Sequence, residues 1–417
     1  MSDPYSRVVT TLRGEKPDRL PFISRLEMWY SCHSRAGTLP EEFKQRPEGE
    51  TTSVMSLFTV PIPRGLSVLP LTEIHRRIGM GQQFQRVSHA RRFRGVELSM
   101  RLNGEEFHHE LDPVVEFFPR LFDHMLPDKP GETVAEFATP RGRLTTRTSL
   151  TPEAIAQGAV PVMNEHPVKS VEDYAVLEFI FEHAEYVPEY RAVAEVQSRI
   201  GGVGFVIPMI NRLPFQQLVL DHVGEVPFFY MLYDQPGLVA KMMTLLNQVM
   251  LEDLNRLAEF NWPYLQFDDN LDGTVTNPRL FQEHCLPYYQ RYTEILHGQG
   301  KKVGAHTDGD LKPLLPLLAE CGLDICESFS PAPLTSCAFN EAWNAWKQGG
   351  PTIWGGIPST ILEESTSDKD FRNYVDDVLK LIGGHPIILG VADLVMPNNS
   401  IERVRYIADR VENHSVE

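Results

Sequence analysis

The sequence is poor in cysteine, has no long apolar run and is short of basic residues. Five cysteines (Cys32, Cys285, Cys321, Cys326 and Cys337) are scattered over 417 residues. They are too few and too dispersed for a disulfide framework, so reduced thiols and a cytoplasmic location are expected. No uncharged apolar stretch approaches the ~18 residues needed to cross a bilayer. The opening MSDPYSRVVTTLRGEKPDRLPF has no apolar segment of signal-peptide length. Lys and Arg number 39 against 56 Asp and Glu, a formal net charge of −17. That field would repel nucleic acids and anionic membranes, so neither is an expected partner. There is no internal repeat or low-complexity tract. A Gly-rich phosphate loop after the first strand is also missing, which weakens a dinucleotide-binding open sheet.

What is present has the balance of a soluble globular protein, 42% hydrophobic and 23% charged, long enough to bury a sizeable core. Short apolar runs alternate with amphipathic stretches. LPFISRLEM (20–28), VGFVIPMI (203–210), YLQFDD (264–269), KVGAH (302–306), DICESF (324–329), TIWGGI (352–357) and PIILGV (386–391) read as strands. The segments 238–260, 277–300 and 310–322 carry apolar residues at intervals of three and four, as helices do. Apolar strands each followed by a helix require a buried parallel sheet. The reading is α/β, a (β/α)8 barrel forming one domain over residues 1–417. The stretch 85–150 alternates polar and apolar residues around Asn-Gly and Arg-Gly turns. It reads as a small antiparallel insertion, a lid or interface element.

In such a barrel the active site gathers at the C-terminal strand ends. Polar and aromatic residues there are Arg25, Glu27, Trp29 and Tyr30 after the first strand, then Asn211 and Arg212, then Asp268, Asp269 and Asn270. His306, Asp308 and Asp310 follow, then Cys326 and Glu327, and finally Asp393. His306 and Asp308, two residues apart, point to the same side of the chain. They could bind a divalent metal, with Glu327 or Asp393 completing an N/O ligand set. Alternatively Asp308 orients His306 as a general acid or base. The bland reading has His306 bonded to a backbone carbonyl and Asp308 or Asp310 capping the next helix. Asp269 is a candidate catalytic carboxylate or a turn cap. Trp29, Tyr30 and Trp354 are candidates for packing an aromatic substrate, or simply core.

RGEKPDRLPF (13–22), HTDGDLKPLLPLLAECGLDICES (306–328) and ILGVADLVMPNNSIERVRYI (388–407) resemble, in order, the uroporphyrinogen decarboxylase superfamily. That superfamily holds porphyrinogen decarboxylases and corrinoid-dependent methyltransferases on (β/α)8 barrels. The decarboxylase branch carries an arginine-rich motif after strand one. Here RLEMWYSCHSRAGTLPEEF (25–43) keeps Arg25 and Arg35 without the motif, and 51–70 shows no counterpart of the decarboxylase aspartate motif. The zinc methyltransferase branch uses His-x-Cys and a distant cysteine. His306 matches, Asp308 stands in place of the first cysteine, and Asp393 lies near the place of the last. LEMWY…RAGTLPEEF, LTEIHRRIGMG (71–81) and HTDGD resemble most the first methyltransferases of bacterial O-demethylase systems.

The resemblance implies transfer of a methyl group from a small methoxylated, aromatic compound to the cobalt of a corrinoid carried by a partner protein. It implies His306, Asp308, Glu327 and Asp269 as catalytic residues. Arg25, Glu27, Trp29, Tyr30, Asn211 and Trp354 would bind substrate. Zinc, if used, would sit on His306, Asp308, Glu327 and Asp393. Homodimers are frequent in the family, so a homodimer is implied. The alternatives are a cofactor-free decarboxylase of a small carboxylate, held by Arg25 and Arg212, and a barrel that serves only as a binding subunit.

Overall fold

The computed structural model describes residues 2–44, 71–107, 130–157, 159 and 161–414; the segment 51–70 discussed above lies outside them. Strands β1 (Ile23–Ser24) and β2 (Gly81–Val87) begin a barrel. An antiparallel excursion follows: β3 (His89–Phe93), β4 (Glu97–Leu102), β5 (Glu105–Phe107), β6 (Gly131–Thr139), β7 (Gly142–Leu150), β8 (Val162–Glu165) and β9 (Ala184–Pro188). The chain then completes the barrel with β10 (Gly204–Ile210), β11 (Tyr264–Phe267), β12 (Lys302–His306), β13 (Ile325–Phe329), β14 (Thr352–Ile357) and β15 (Ile388–Val391). These eight strands are parallel and neighbour one another in the order β1-β2-β10-β11-β12-β13-β14-β15. A parallel bridge from Phe22 to Leu389 joins the two ends, so the sheet closes. The architecture is the expected (β/α)8 barrel.

All seven apolar runs fall on barrel strands. The eighth strand, β2, is GQQFQRV, and Gln82, Gln83 and Gln85 in it are buried. Buried glutamines carry no apolar signal, which is why no strand was expected at 81–84 and the insertion was begun at 85. The antiparallel part therefore starts after β2 and reaches further than 150. It comprises a β3–β9 pair and a five-stranded sheet in the order β5-β4-β6-β7-β8. LPFISRLEM yields only a two-residue strand, because a helix α1 (Pro4–Leu12) precedes it and a helix α2 (Glu27–Ala36) begins at once after it. Glu27, Trp29 and Tyr30 therefore sit on a helix rather than at a strand end.

The helix expected over 238–260 is Pro236–Arg256. The one expected over 277–300 is split into Pro278–His284 and Leu286–Gly298, with Pro287 starting the second piece. Segment 310–322 keeps only a 3-10 turn at Lys312–Leu314 and one helical turn at Leu315–Leu318, since Pro313 and Pro316 interrupt the backbone ladder.

Side chains from alternate strand positions fill the barrel. Phe205, Ile207, Met209, Tyr264, Ile325, Trp354, Ile388 and Ile23 form one cluster, and Val8 and Leu12 of α1 join it from the N-terminal end. Asp3 caps α1 by accepting from the Ser6 amide at 2.8 Å. Each buried aliphatic or aromatic chain of this plug contributes about 1.5–3 kcal/mol. The plugged end leaves the opposite, C-terminal mouth as the place for chemistry. Among the described residues, no helix is long and apolar enough to cross a membrane.

Candidate functional site

His306 ends β12 and stands in register with Glu327 on β13. Both are buried and face each other, His306 Nδ1 lying 2.6 Å from Glu327 Oε2. A buried carboxylate needs donors on its oxygens, and three side chains supply them. Beside His306, Gln83 Nε2 donates to Oε1 at 2.6 Å and Gln266 Nε2 to Oε2 at 2.7 Å. Gln266 is in turn oriented by the Tyr264 hydroxyl, which donates to its Oε1 at 2.8 Å. Burial would raise the Glu327 pKa, but His306 and Arg25 hold it below the usual glutamate range. Burial likewise opposes charge on His306, and the carboxylates of Glu327 and Asp308 overcome it, pushing the imidazole up to about 10.

An ionised Glu327 can only accept, so Nδ1 carries the hydrogen and Nε2 is the outward atom of the ring. Nε2 faces two carboxylates, Asp308 Oδ2 and Asp393 Oδ1, each at 3.7 Å. That arrangement calls for a cation at Nε2: a proton in one state, a metal ion in the other. One ligand atom each from His306, Asp308 and Asp393 lies within 4.8 Å of the others. One nitrogen and two carboxylate oxygens are the kind of donor set that three-ligand zinc sites use. The donor set fits a divalent metal. Glu327, expected among the ligands, instead spends its oxygens on His306, Gln83 and Gln266. Glu327 thereby fixes the His306 ring, as carboxylates do behind histidines that ligate metals.

Two backbone devices aim these groups. Asp393 has φ +58°, a left-handed conformation that aspartate tolerates better than most residues. Arg25 secures it there. Its Nε donates to the Asp393 main-chain carbonyl at 3.0 Å, its NH2 group pairs with the Asp393 carboxylate, and its NH1 group donates to Gln85 Oε1 at 2.8 Å. On β13 the register slips by one residue after Glu327, with Ser328 at φ +66°. This bulge lets Glu327 face the interior while Phe329 packs outward against Phe339 and Trp346. Gly355 makes room for it, since a Cβ there would lie 2.7 Å from the Phe329 carbonyl oxygen.

The other expected site residues are placed as follows. Glu27 is buried in the first turn of α2, and burial raises its pKa despite the neighbouring Arg25. Trp29 donates to the Asn399 carbonyl at 3.2 Å and packs on His33 and Phe43, and Tyr30 is fully buried beside it. Trp354 fills the barrel interior with Phe205 and Tyr264. All three aromatics are buried and belong to the packed interior, the second of the two readings offered for them. Asp269 accepts from the Tyr289 hydroxyl at 2.5 Å and the Leu213 amide at 2.9 Å, tying the segment after β11 to the helix Leu286–Gly298 and to the segment after β10. Asn211 points at Asp253, donating at 3.0 Å. Arg212 pairs with Asp221 at 3.0 Å, with Asp268 at 3.8 Å. Asp310 accepts from the Lys312 and Ser336 amides, each at 3.1 Å, the capping role anticipated for it. Gln83, Gln85, Gln266 and Tyr264 escaped the sequence reading. The repeated glutamines of GQQFQ are the signal that could have found two of them.

The family of uroporphyrinogen decarboxylases (URO-D) matches residues 154–414, which hold the strands β10 to β15. No curated protein sequence matches the chain. Among solved structures, a methyltransferase from Methanosarcina mazei aligns over 98% of this chain and 99% of its own, with a TM-score of 0.55 and 11% identity. At that identity the likeness is one of fold. An octameric ribulose-1,5-bisphosphate carboxylase/oxygenase from Pyrococcus horikoshii OT3, in complex with sulfate, aligns over 56% of this chain and 46% of its own, with a TM-score of 0.29 and 11% identity.

Proposed function

The chain belongs to the uroporphyrinogen decarboxylase family, and within it we propose a methyltransferase acting on a small methoxylated, aromatic compound. The methyl group would pass to the cobalt of a corrinoid carried by a partner protein, the first step of an O-demethylation. One observation carries this reading: the histidine and two aspartates at the barrel mouth, with Glu327 locking the ring so that Nε2 meets both carboxylates. His306, Asp308 and Asp393 would hold a divalent metal such as zinc. Bound there, the metal would act as a Lewis acid toward the ether oxygen of the leaving group. Glu327 keeps the His306 ring fixed, and Arg25 keeps Asp393 aimed. The shared fold of the Methanosarcina mazei methyltransferase is consistent with this use of the barrel.

A decarboxylase of a small carboxylate would need an arginine free to grip its substrate. The two candidates are already engaged, Arg25 by Asp393 and Gln85, and Arg212 by Asp221, which weighs against that alternative. The test is metal analysis of the purified protein and of a His306→Ala variant, with methyl transfer to free cob(I)alamin assayed in both. Stoichiometric zinc that is lost with the histidine, together with transfer, supports the reading. Full transfer by His306→Ala would overturn it.

A further inference from the structure

The helix Glu225–Asp234, EVPFFYMLYD, is apolar on two faces. Phe228 and Met231 turn inward and are buried in the core. Val226, Tyr230 and Tyr233, spaced by four and three residues, share the opposite face and are 67%, 70% and 87% exposed. They are the three most exposed large apolar side chains among the described residues. Contiguous apolar surface of this kind marks a place of association. Beside this crest runs a groove of about 730 Å³, walled by Phe229 and Leu232 of the same helix, by Val239 and Met243 of Pro236–Arg256, and by Leu280 and Tyr288. None of these residues belongs to the candidate metal centre.

Glu225 and Asp234 stand exposed at the two ends of the crest helix. Arg279 lines the groove, and exposed Lys241 adjoins its lining residue Ala240. Glu283, also in the groove wall, lies 3.8 Å from His284 Nε2. Among the described residues, none of Glu225, Asp234, Lys241 and Arg279 takes part in an ion pair within the chain. An apolar crest with acidic ends, beside an apolar groove with a basic edge, is complementary to itself. We propose that a second copy of this chain docks on this face, each crest seated in the other's groove about a two-fold axis. The four tyrosines would bury about 600–1,000 Å². Val226 and the groove walls supply the rest of the ~1,200–2,000 Å² that a stable interface needs. Two chains of net charge −17 repel over most of their surface, so contact falls where unpaired basic groups meet acidic ones.

The test is analytical ultracentrifugation of the full-length protein over a range of concentrations. The expected result is a reversible dimer whose dissociation constant rises at least about a hundredfold in Tyr230→Asp, because the tyrosine counts twice in a symmetric pair. The circular dichroism of this variant should match the parent, since the side chain is exposed in the single chain. Two charge-reversed chains test the seating. Lys241→Glu with Arg279→Glu, and Glu225→Lys with Asp234→Lys, should each be monomeric alone and pair with each other when mixed. A parent that stays monomeric at every concentration overturns the proposal, as does a dimer indifferent to Tyr230→Asp. Reversed chains that dimerise alone, or that fail to pair when mixed, overturn the reciprocal seating. The methyl-transfer reading stands or falls separately, because none of these variants touches the metal centre.

Discussion

Arg25 and Asp393, 368 positions apart in the chain, are joined twice, once through the Asp393 main-chain carbonyl and once through its carboxylate. The planar guanidinium reaches both acceptors at once, which a lysine ammonium on a single stem does not reproduce. The pair ties the first strand to the last and sets the direction of a candidate metal ligand.

Arg25→Lys should therefore leave a folded barrel whose Asp393 is no longer held in line. Zinc affinity should fall about 10–100-fold, the range typical for loss of a group that orients a ligand. Competition against a chromophoric chelator measures it, and an unaltered affinity would show that Asp393 is positioned by its backbone alone.

Gly304→Ala tests the chain of contacts behind Glu327. A Cβ at this position collides with the Tyr264 hydroxyl, the group that orients Gln266. The variant should lose about 1–3 kcal/mol in urea unfolding, as overpacked cores do. Adding Tyr264→Phe removes the colliding oxygen and should recover part of that loss, a coupling that a double-mutant cycle resolves. Equal stability of Gly304→Ala and the parent would show that the tyrosine moves aside freely.

Acid sensitivity should come in part from His75. This residue lies in the helix Leu71–Ile78, fully buried, its Nδ1 donating to the Met80 carbonyl at 3.2 Å. Burial lowers its pKa from 6.5 to about 4. Between these values the unfolded chain binds a proton that the folded chain refuses. Stability is complete above pH 6.5, declines as the pH falls toward 4, and levels off below. The decline attributable to this group is about 3 kcal/mol. His222, with a pKa lowered by burial to about 3, acts in the same direction, so the readout is the difference between the parent and His75→Gln. The variant should show a shallower fall in unfolding free energy between pH 6.5 and 4, and identical slopes would remove His75 from the explanation.

Strands were legible where both faces are apolar, as in VGFVIPMI and PIILGV, because burial on two sides leaves an unbroken apolar run. GQQFQRV was not, because its glutamines are buried for hydrogen bonding rather than for apolar area: Gln83 to Glu327, Gln85 to Arg25. His306, Asp308 and Asp393 could be chosen from strand ends, since alternation and barrel geometry place such residues at one mouth. The part played by Glu327 could not, because ligand or buttress is decided by which oxygens other donors claim. For Trp29 and Trp354 the sequence left pocket and core both open for a similar reason. A large aromatic near a strand end is equally at home inside the barrel, and only packing distinguishes the two.

The closure of the barrel has a consequence for biosynthesis. Asp393 belongs to the turn after β15, and β15 closes the ring by bridging to Phe22 beside β1. A ribosome-bound chain lacking that last strand has His306, Asp308 and Arg25 but not Asp393, the third donor that Arg25 aims. A metal held by these three residues would be captured only once the ends of the barrel have met. The metal centre would then act as a late fastener, giving finished barrels a stabilisation that partly synthesised chains do not receive.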